Sequence, residues 1–185
     1  METAFIGFGS NVGDRQEFCD RAIALMGLLP QSQLVGVSSY YETQPVDSEG
    51  RLGQTWFYNG VVTVETGLSV QRLFEICQET ERALGRDQEN RNGPRTMDLD
   101  ILFYGRKIID EPGLTIPHPR LHLRRFVLEP LVEIDPEWNH PLLNQSTLDL
   151  LRAVDDSSDV RRLDLVPGSR YGNRPSCVSP PPRTA

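Results

Sequence analysis

The chain has 185 residues, 38% hydrophobic and 24% charged, with a formal net charge of −7; these are the proportions of a globular protein large enough for one domain with a real core. The acidic balance argues against a nucleic-acid binder, which shows a basic face, although arginines gather between residues 82 and 125. No apolar run approaches a membrane span, the N-terminus lacks a secretory pattern, and Cys19, Cys77 and Cys177 form neither a zinc pair nor a disulfide framework, so the expectation is a cytoplasmic protein with no membrane or nucleic-acid partner.

Residues 3–9 form a short apolar run ending in glycine, a first strand. Asp14 caps the following helix, with Glu17 three residues on and Pro30 beyond its end. Phe18, Ala22, Leu25 and Leu29 recur there at helical spacing as one buried stripe, with Cys19 beside it as core filling. Residues 34–43 and 56–66 are β-rich. The Gln44–Thr55 connection between them is long for a hairpin and reads as a lid or binding loop. Ser69 N-caps a second helix closed by Gly85, with an apolar face of Val70, Leu73, Phe74, Cys77 and Leu84. Glu81 falls on that face. A carboxylate there either has an anchored partner or reaches outward at the helix end.

A second polar loop, Arg86–Met97, leads into a strand at Asp98–Tyr104. A turn after Gly105 and the segment Ile116-Pro117-His118-Pro119 follow, then helical spacing over 126–134 and 147–154. From Pro167 onward the chain is rich in Pro, Ser, Arg and Gly and has no acidic residue. Such a composition buries too little apolar area to offset chain entropy, so residues 166–185 are expected to be a disordered tail on a single domain spanning 1–165. The strand–helix–strand–strand–helix–strand order predicts an α+β sandwich, with helices on one face of a mostly antiparallel sheet.

The chemistry concentrates at Asn92-Gly93-Pro94-Arg95-Thr96-Met97-Asp98-Leu99-Asp100-Ile101-Leu102-Phe103. Strand side chains alternate, so Asp98 and Asp100 point the same way with Cα atoms about 6.5–7 Å apart. Two carboxylates that close raise one another's pKa unless a cation lies between them, and hard cations such as Mg²⁺ take carboxylate oxygens together with substrate phosphates. Arg95 offers a planar fork suited to phosphate. Phe57 and Asn59 share a strand face, an aromatic plane beside an amide, which is what a flat heteroaromatic with a lactam edge requires. Gly7-Phe8-Gly9-Ser10-Asn11-Val12-Gly13 imitates a dinucleotide fingerprint, but its third glycine comes one position late, and a tight strand-to-helix turn is the better reading.

The Asn-Gly-Pro-Arg-x-x-Asp-Leu-Asp-Ile-Leu segment resembles the signature of the 6-hydroxymethyl-7,8-dihydropterin pyrophosphokinase family. Gly9-Ser10-Asn11, Thr43-Gln44-Pro45-Val46, Phe57-Tyr58-Asn59, Glu81, Gly85-Arg86, Thr115-Ile116-Pro117-His118 and Arg124-Arg125-Phe126 follow in family order, from about residue 3 to about residue 163. The resemblance implies a ferredoxin-like core and transfer of a diphosphoryl group from ATP to the pterin hydroxymethyl, releasing AMP in folate synthesis. It implies two Mg²⁺ ions on Asp98 and Asp100, with Arg86 and Arg95 acting on the phosphates. It implies a pterin site of Thr43, Pro45, Val46, Phe57, Asn59 and Phe126, and an ATP site of Glu81, Arg86, Arg95, Thr115, His118 and Arg124. A cytoplasmic enzyme, expected to be monomeric, with small-molecule substrates is the consequence. The chain departs from the family pattern at Gln88, Asn92, Gly113 and Pro119.

Overall fold

The computed structural model describes residues 1–45, 55–86 and 95–171. Strand β1 (Glu2–Ser10) lies near the centre of the sheet, apolar on both faces and opened by Gly7 and Gly9. It pairs antiparallel with β4 (Phe57–Thr66) on one side and with β5 (Asp98–Tyr104) on the other. Long β4 takes two partners on its outer side: β2 (Ser32–Val37) along its second half and β3 (Tyr41–Thr43) along its first. The sequence reading has 34–43 as one strand. It is broken at Ser38, whose N–H donates to the Val61 carbonyl (2.9 Å) and whose Oγ accepts from the Val61 N–H (2.9 Å). β6 (Ile109–Glu111) and β7 (Leu114–Ile116) form a separate hairpin, and β8 (Val160–Arg162) adds to β3.

Helix α1 (Arg15–Met26) starts where the Asp14 carboxylate accepts from the Glu17 N–H (3.0 Å), and α2 (Val70–Ala83) where Ser69 Oγ accepts from Arg72 N–H (3.2 Å). Both pack on one face of the sheet, over Ala4, Ile6, Phe8, Val62 and Val64. The stripe on α1 is turned from the expected one: Cys19, Ala22, Ile23 and Met26 are buried, whereas Leu25 is 37% exposed. Cys19 and Cys77 are buried free thiols filling this core. On the opposite face, α3 (Arg125–Ile134) and α4 (Thr147–Ala153) cover Phe5, Val61, Leu102 and Phe103. The expectation of helices on a single face therefore fails, because β1, β4 and β5 are apolar on both sides and each side needs a cover. A register shift between Phe5 and Ile6 places Leu102 and Phe103 together against α3.

The last described segment also differs from its expectation. Gly168 N–H donates to the buried Asp20 carboxylate (2.7 Å), which also accepts from Tyr40 OH. Arg170 pairs with Asp14 (2.8 Å) and Glu17 (3.3 Å), so residues 166–171 dock on α1 through polar contacts. The rest of the expected tail, 172–185, lies outside the described residues. No helix among the described residues is long and apolar enough to cross a membrane.

Candidate active site

Strand register arranges the chemistry in two rows. Asp98 lies opposite Gly9, Gly9 opposite Asn59, and Asn59 opposite Tyr41; Asp100 lies opposite Gly7, and Gly7 opposite Val61. Strands sit about 4.8 Å apart, so the two glycines leave a trough roughly 10 Å wide between the acidic edge and the Asn59 amide. A Cβ on Gly9 would collide with the Asn59 side-chain oxygen. The first turn of α3 brings Phe126 and Val127 to this trough, and the cleft that results has a volume of about 360 Å³.

One side of the cleft is charged. Asp98 accepts from Arg86 (2.6 Å) and Arg95 (2.8 Å). The Arg95 backbone is pinned by Asn11, which takes its N–H on Oδ1 (2.8 Å) and donates to its carbonyl (3.2 Å). Behind this layer Glu81 is buried at 5% exposure, paired with Arg86 and accepting from the Leu99 N–H (2.7 Å). Burial pushes the Glu81 carboxyl up to about 7. Burial, and then the charge of Asp98, pushes Asp100 up to about 6. A carboxylate whose charge is disfavoured in this way, as at Asp100, gains from a cation beside it.

His118 completes that side. Its backbone N–H donates to the Leu102 carbonyl (3.0 Å), and its ring Nδ1 accepts from the Arg120 backbone N–H (3.2 Å). Burial, with Arg124 and Arg120 nearby, lowers its pKa to about 4. The ring is therefore neutral at pH 7, and with Nδ1 accepting, Nε2 carries the proton. The other side of the cleft is uncharged: Asn59 Nδ2 donates to Thr43 Oγ1 (2.6 Å), both residues being buried, and Phe57 stands two residues before. Guanidinium groups sit beside both aromatic rings, Arg95 5.8 Å from the Phe57 centroid and Arg124 5.6 Å from that of Phe126.

Of the residues singled out in the sequence, the cleft brings together Thr43, Phe57, Asn59, Arg86, Arg95, Asp98, Asp100, His118, Arg124 and Phe126. Glu81 does not line it but braces Arg86 and the β5 backbone from behind. Thr115 is exposed on β7, its Oγ1 donating to Asp110 (3.4 Å), and it is not in the lining. Pro45 follows the lining residue Gln44, and Val46 lies outside the described residues, as do most of the two expected lid loops. The sequence reading gives Arg120, Gln44, Gly7 and Gly9 no place among the site residues, although all four line the cleft. For the glycines a signal existed: they alternate at strand period, which a turn does not explain.

The model of the 7,8-dihydro-6-hydroxymethylpterin-pyrophosphokinase (HPPK) family matches residues 5–136. The chain belongs to the HPPK family. It is 45% identical over 131 residues to the 2-amino-4-hydroxy-6-hydroxymethyldihydropteridine pyrophosphokinase of Bacillus subtilis, which covers 71% of this chain and 77% of that one. The enzyme of the same name from Methylorubrum extorquens is 38% identical over 137 residues, 74% of this chain and 85% of that one. In fold the chain is similar to the HPPK-DHPS of Plasmodium falciparum crystallised with pteroate, with a TM-score of 0.63 at 16% identity. That likeness covers 82% of this chain and 44% of the other, so the chain spans less than half of that longer protein. HPPK membership makes this chain a pyrophosphokinase, with ATP as co-substrate.

Proposed function

We propose that this HPPK chain transfers the diphosphoryl group of ATP to the hydroxymethyl group of 6-hydroxymethyl-7,8-dihydropterin in folate synthesis, acting as a cytoplasmic monomer. The observation that carries the reading is the row Asp98–Gly9–Asn59, an acidic phosphate end facing an amide edge across a trough. The pterin lies between Phe57 and Phe126, with its lactam edge on Asn59 and Thr43. Its hydroxymethyl then points toward Asp98 and Asp100. The hydroxymethyl oxygen forms a bond to the β-phosphorus as the bond from that phosphorus to the α,β-bridging oxygen breaks. AMP leaves, and the hydroxyl proton passes to solvent water.

Among the described residues no group of three or more His, Cys, Asp or Glu side chains is arranged to hold a metal. Asp100, whose charge burial and Asp98 disfavour, and Asp98 two residues before it on the same face fit Mg²⁺ bound largely through substrate phosphates. Two Mg²⁺ ions on Asp98 and Asp100 would neutralise the triphosphate and acidify the attacking hydroxyl. Arg86, Arg95 and Arg124 stabilise charge on the transferring group, and the Nε2–H of neutral His118 donates to a phosphate oxygen. An ordinary kinase built from the same residue types would release ADP. Incubation with Mg-ATP and the pterin, followed by separation of nucleotides, decides between them. AMP formed only when the pterin is present supports the proposal; ADP, or AMP without pterin dependence, refutes it.

A further inference from the structure

Glu133 lies outside the cleft, on α3, and collects more donors than any chemistry at that place needs. Its Oε1 accepts from Ser39 Oγ (2.7 Å) and Arg162 Nη2 (3.2 Å); its Oε2 accepts from Ser39 N–H (3.0 Å) and Tyr41 OH (2.8 Å). One helical carboxylate thus ties together the β2–β3 connection, β3 and β8. The Arg162 Nε–H also donates to Ser39 Oγ (2.9 Å), closing the network.

Two geometric facts connect this knot to the cleft. Glu133 is seven residues, two helical turns, beyond Phe126, so both lie on one face of α3. Tyr41 is the cross-strand neighbour of Asn59, and Thr43 of Phe57, on the same side of the sheet. The helix that carries one aromatic wall and the strands that carry the opposite wall are therefore joined by this carboxylate. We infer that Glu133 is a positioning residue that sets the width of the slot between Phe126 and the Phe57–Asn59–Thr43 wall, and with it the affinity for the flat heterocycle. This rests on the pterin reading given above. On the charged side Arg124 caps α3, but Arg86 and Arg95 are held by Glu81 and Asn11, so the nucleotide depends much less on Glu133.

The carboxylate cannot be replaced by its amide without loss. On the Oε1 side Arg162, and on the Oε2 side the Ser39 N–H, can only donate. Whichever way Gln is turned, its NH₂ faces one of them and pushes α3 outward. The test is calorimetric titration of Glu133→Gln with 6-hydroxymethyl-7,8-dihydropterin, with Mg²⁺ and a non-hydrolysable ATP analogue saturating, and a separate titration with the Mg-analogue alone. The pterin Kd is expected to rise about tenfold, the size of one lost hydrogen bond, while the nucleotide Kd stays within about twofold. Tyr41→Phe removes one donor and keeps the carboxylate; should Glu133→Gln fail to fold, a rise of about two- to threefold in this variant's pterin Kd alone supports the inference. Unchanged pterin affinity in the folded variants, or equal weakening of both ligands, overturns it. A wild-type protein that binds no pterin overturns the functional proposal itself, and the inference with it.

Discussion

Glu81 offers the sharpest separation of structural from electrostatic roles. Its Oε1 takes both the buried Leu99 N–H (2.7 Å) and Arg86. Glu81→Gln keeps an acceptor in place; Glu81→Ala removes it and strands a buried backbone donor next to Asp98 and Asp100. An unsatisfied buried donor costs about 1–3 kcal/mol. For a chain of this length about 2 kcal/mol corresponds to a melting temperature roughly 4–8 °C lower. Glu81→Ala should therefore melt that far below Glu81→Gln at any pH.

The charge enters separately. Burial raises the wild-type carboxyl from 4.5 to about 7, so the folded state binds this proton more tightly than the unfolded state. The stability that the proton confers is fully present below about pH 4.5 and is lost as pH climbs to about 7. At about 1.4 kcal/mol per pH unit, the loss is on the order of 3 kcal/mol. Wild type and Glu81→Gln should thus diverge from pH 5 to pH 8, with the amide variant gaining. Both variants should turn over more slowly, because Arg86 loses its buried counter-charge. Thermal melts of the three proteins without ligands, at pH 5 and pH 8, read both effects. Equal melting of Glu81→Ala and Glu81→Gln would refute the role of the Leu99 bond, and a pH-independent gap to wild type would refute the raised carboxyl.

Asp98→Asn breaks pairs with Arg86 and Arg95 that are partly exposed, so it should cost only about 1 kcal/mol of stability while lowering turnover at least ~100-fold. Asp100→Asn should abolish turnover yet raise the melting temperature at pH 8, since it removes a charge disfavoured by burial and by Asp98; near-normal activity in either variant would refute the metal assignment. Gly9→Ala drives a methyl into the Asn59 oxygen and should displace the amide from Thr43, weakening pterin binding by about 1–3 kcal/mol while ATP binding, by titration, changes little. Deleting residues 167–185 removes the Gly168 N–H from Asp20 and Arg170 from Asp14, and should lower the melting temperature by a few degrees at nearly full activity; an unchanged melting curve would show that the docking contributes nothing.

Local chemistry accounts for what was legible in the chain alone. Asp14 and Ser69 mark helix starts because a side-chain oxygen satisfies an N–H three residues away, an interaction contained within the sequence window. Asp98 and Asp100 share a face because of strand period alone, and the family signature around them set the activity class. The order of strands and helices likewise made the α+β fold readable.

Contacts distant along the chain decided the rest. Glu81 had two readings until Leu99, 18 residues away, met it. Gly7 and Gly9 read as the end of a strand running into a turn, and only their register between β4 and β5 made them the floor of a trough. The second helical layer followed from apolar residues on both faces of the central strands, which no single segment displays as a need for two covers. Composition did not show that residues 166–171 are held: the segment is poor in apolar residues, yet the buried Asp20 carboxylate accepts a backbone N–H 148 residues away. Hydrophobic content reports how much area a segment can bury. It carries no information on which polar group elsewhere requires a partner, and that is a property of the folded chain.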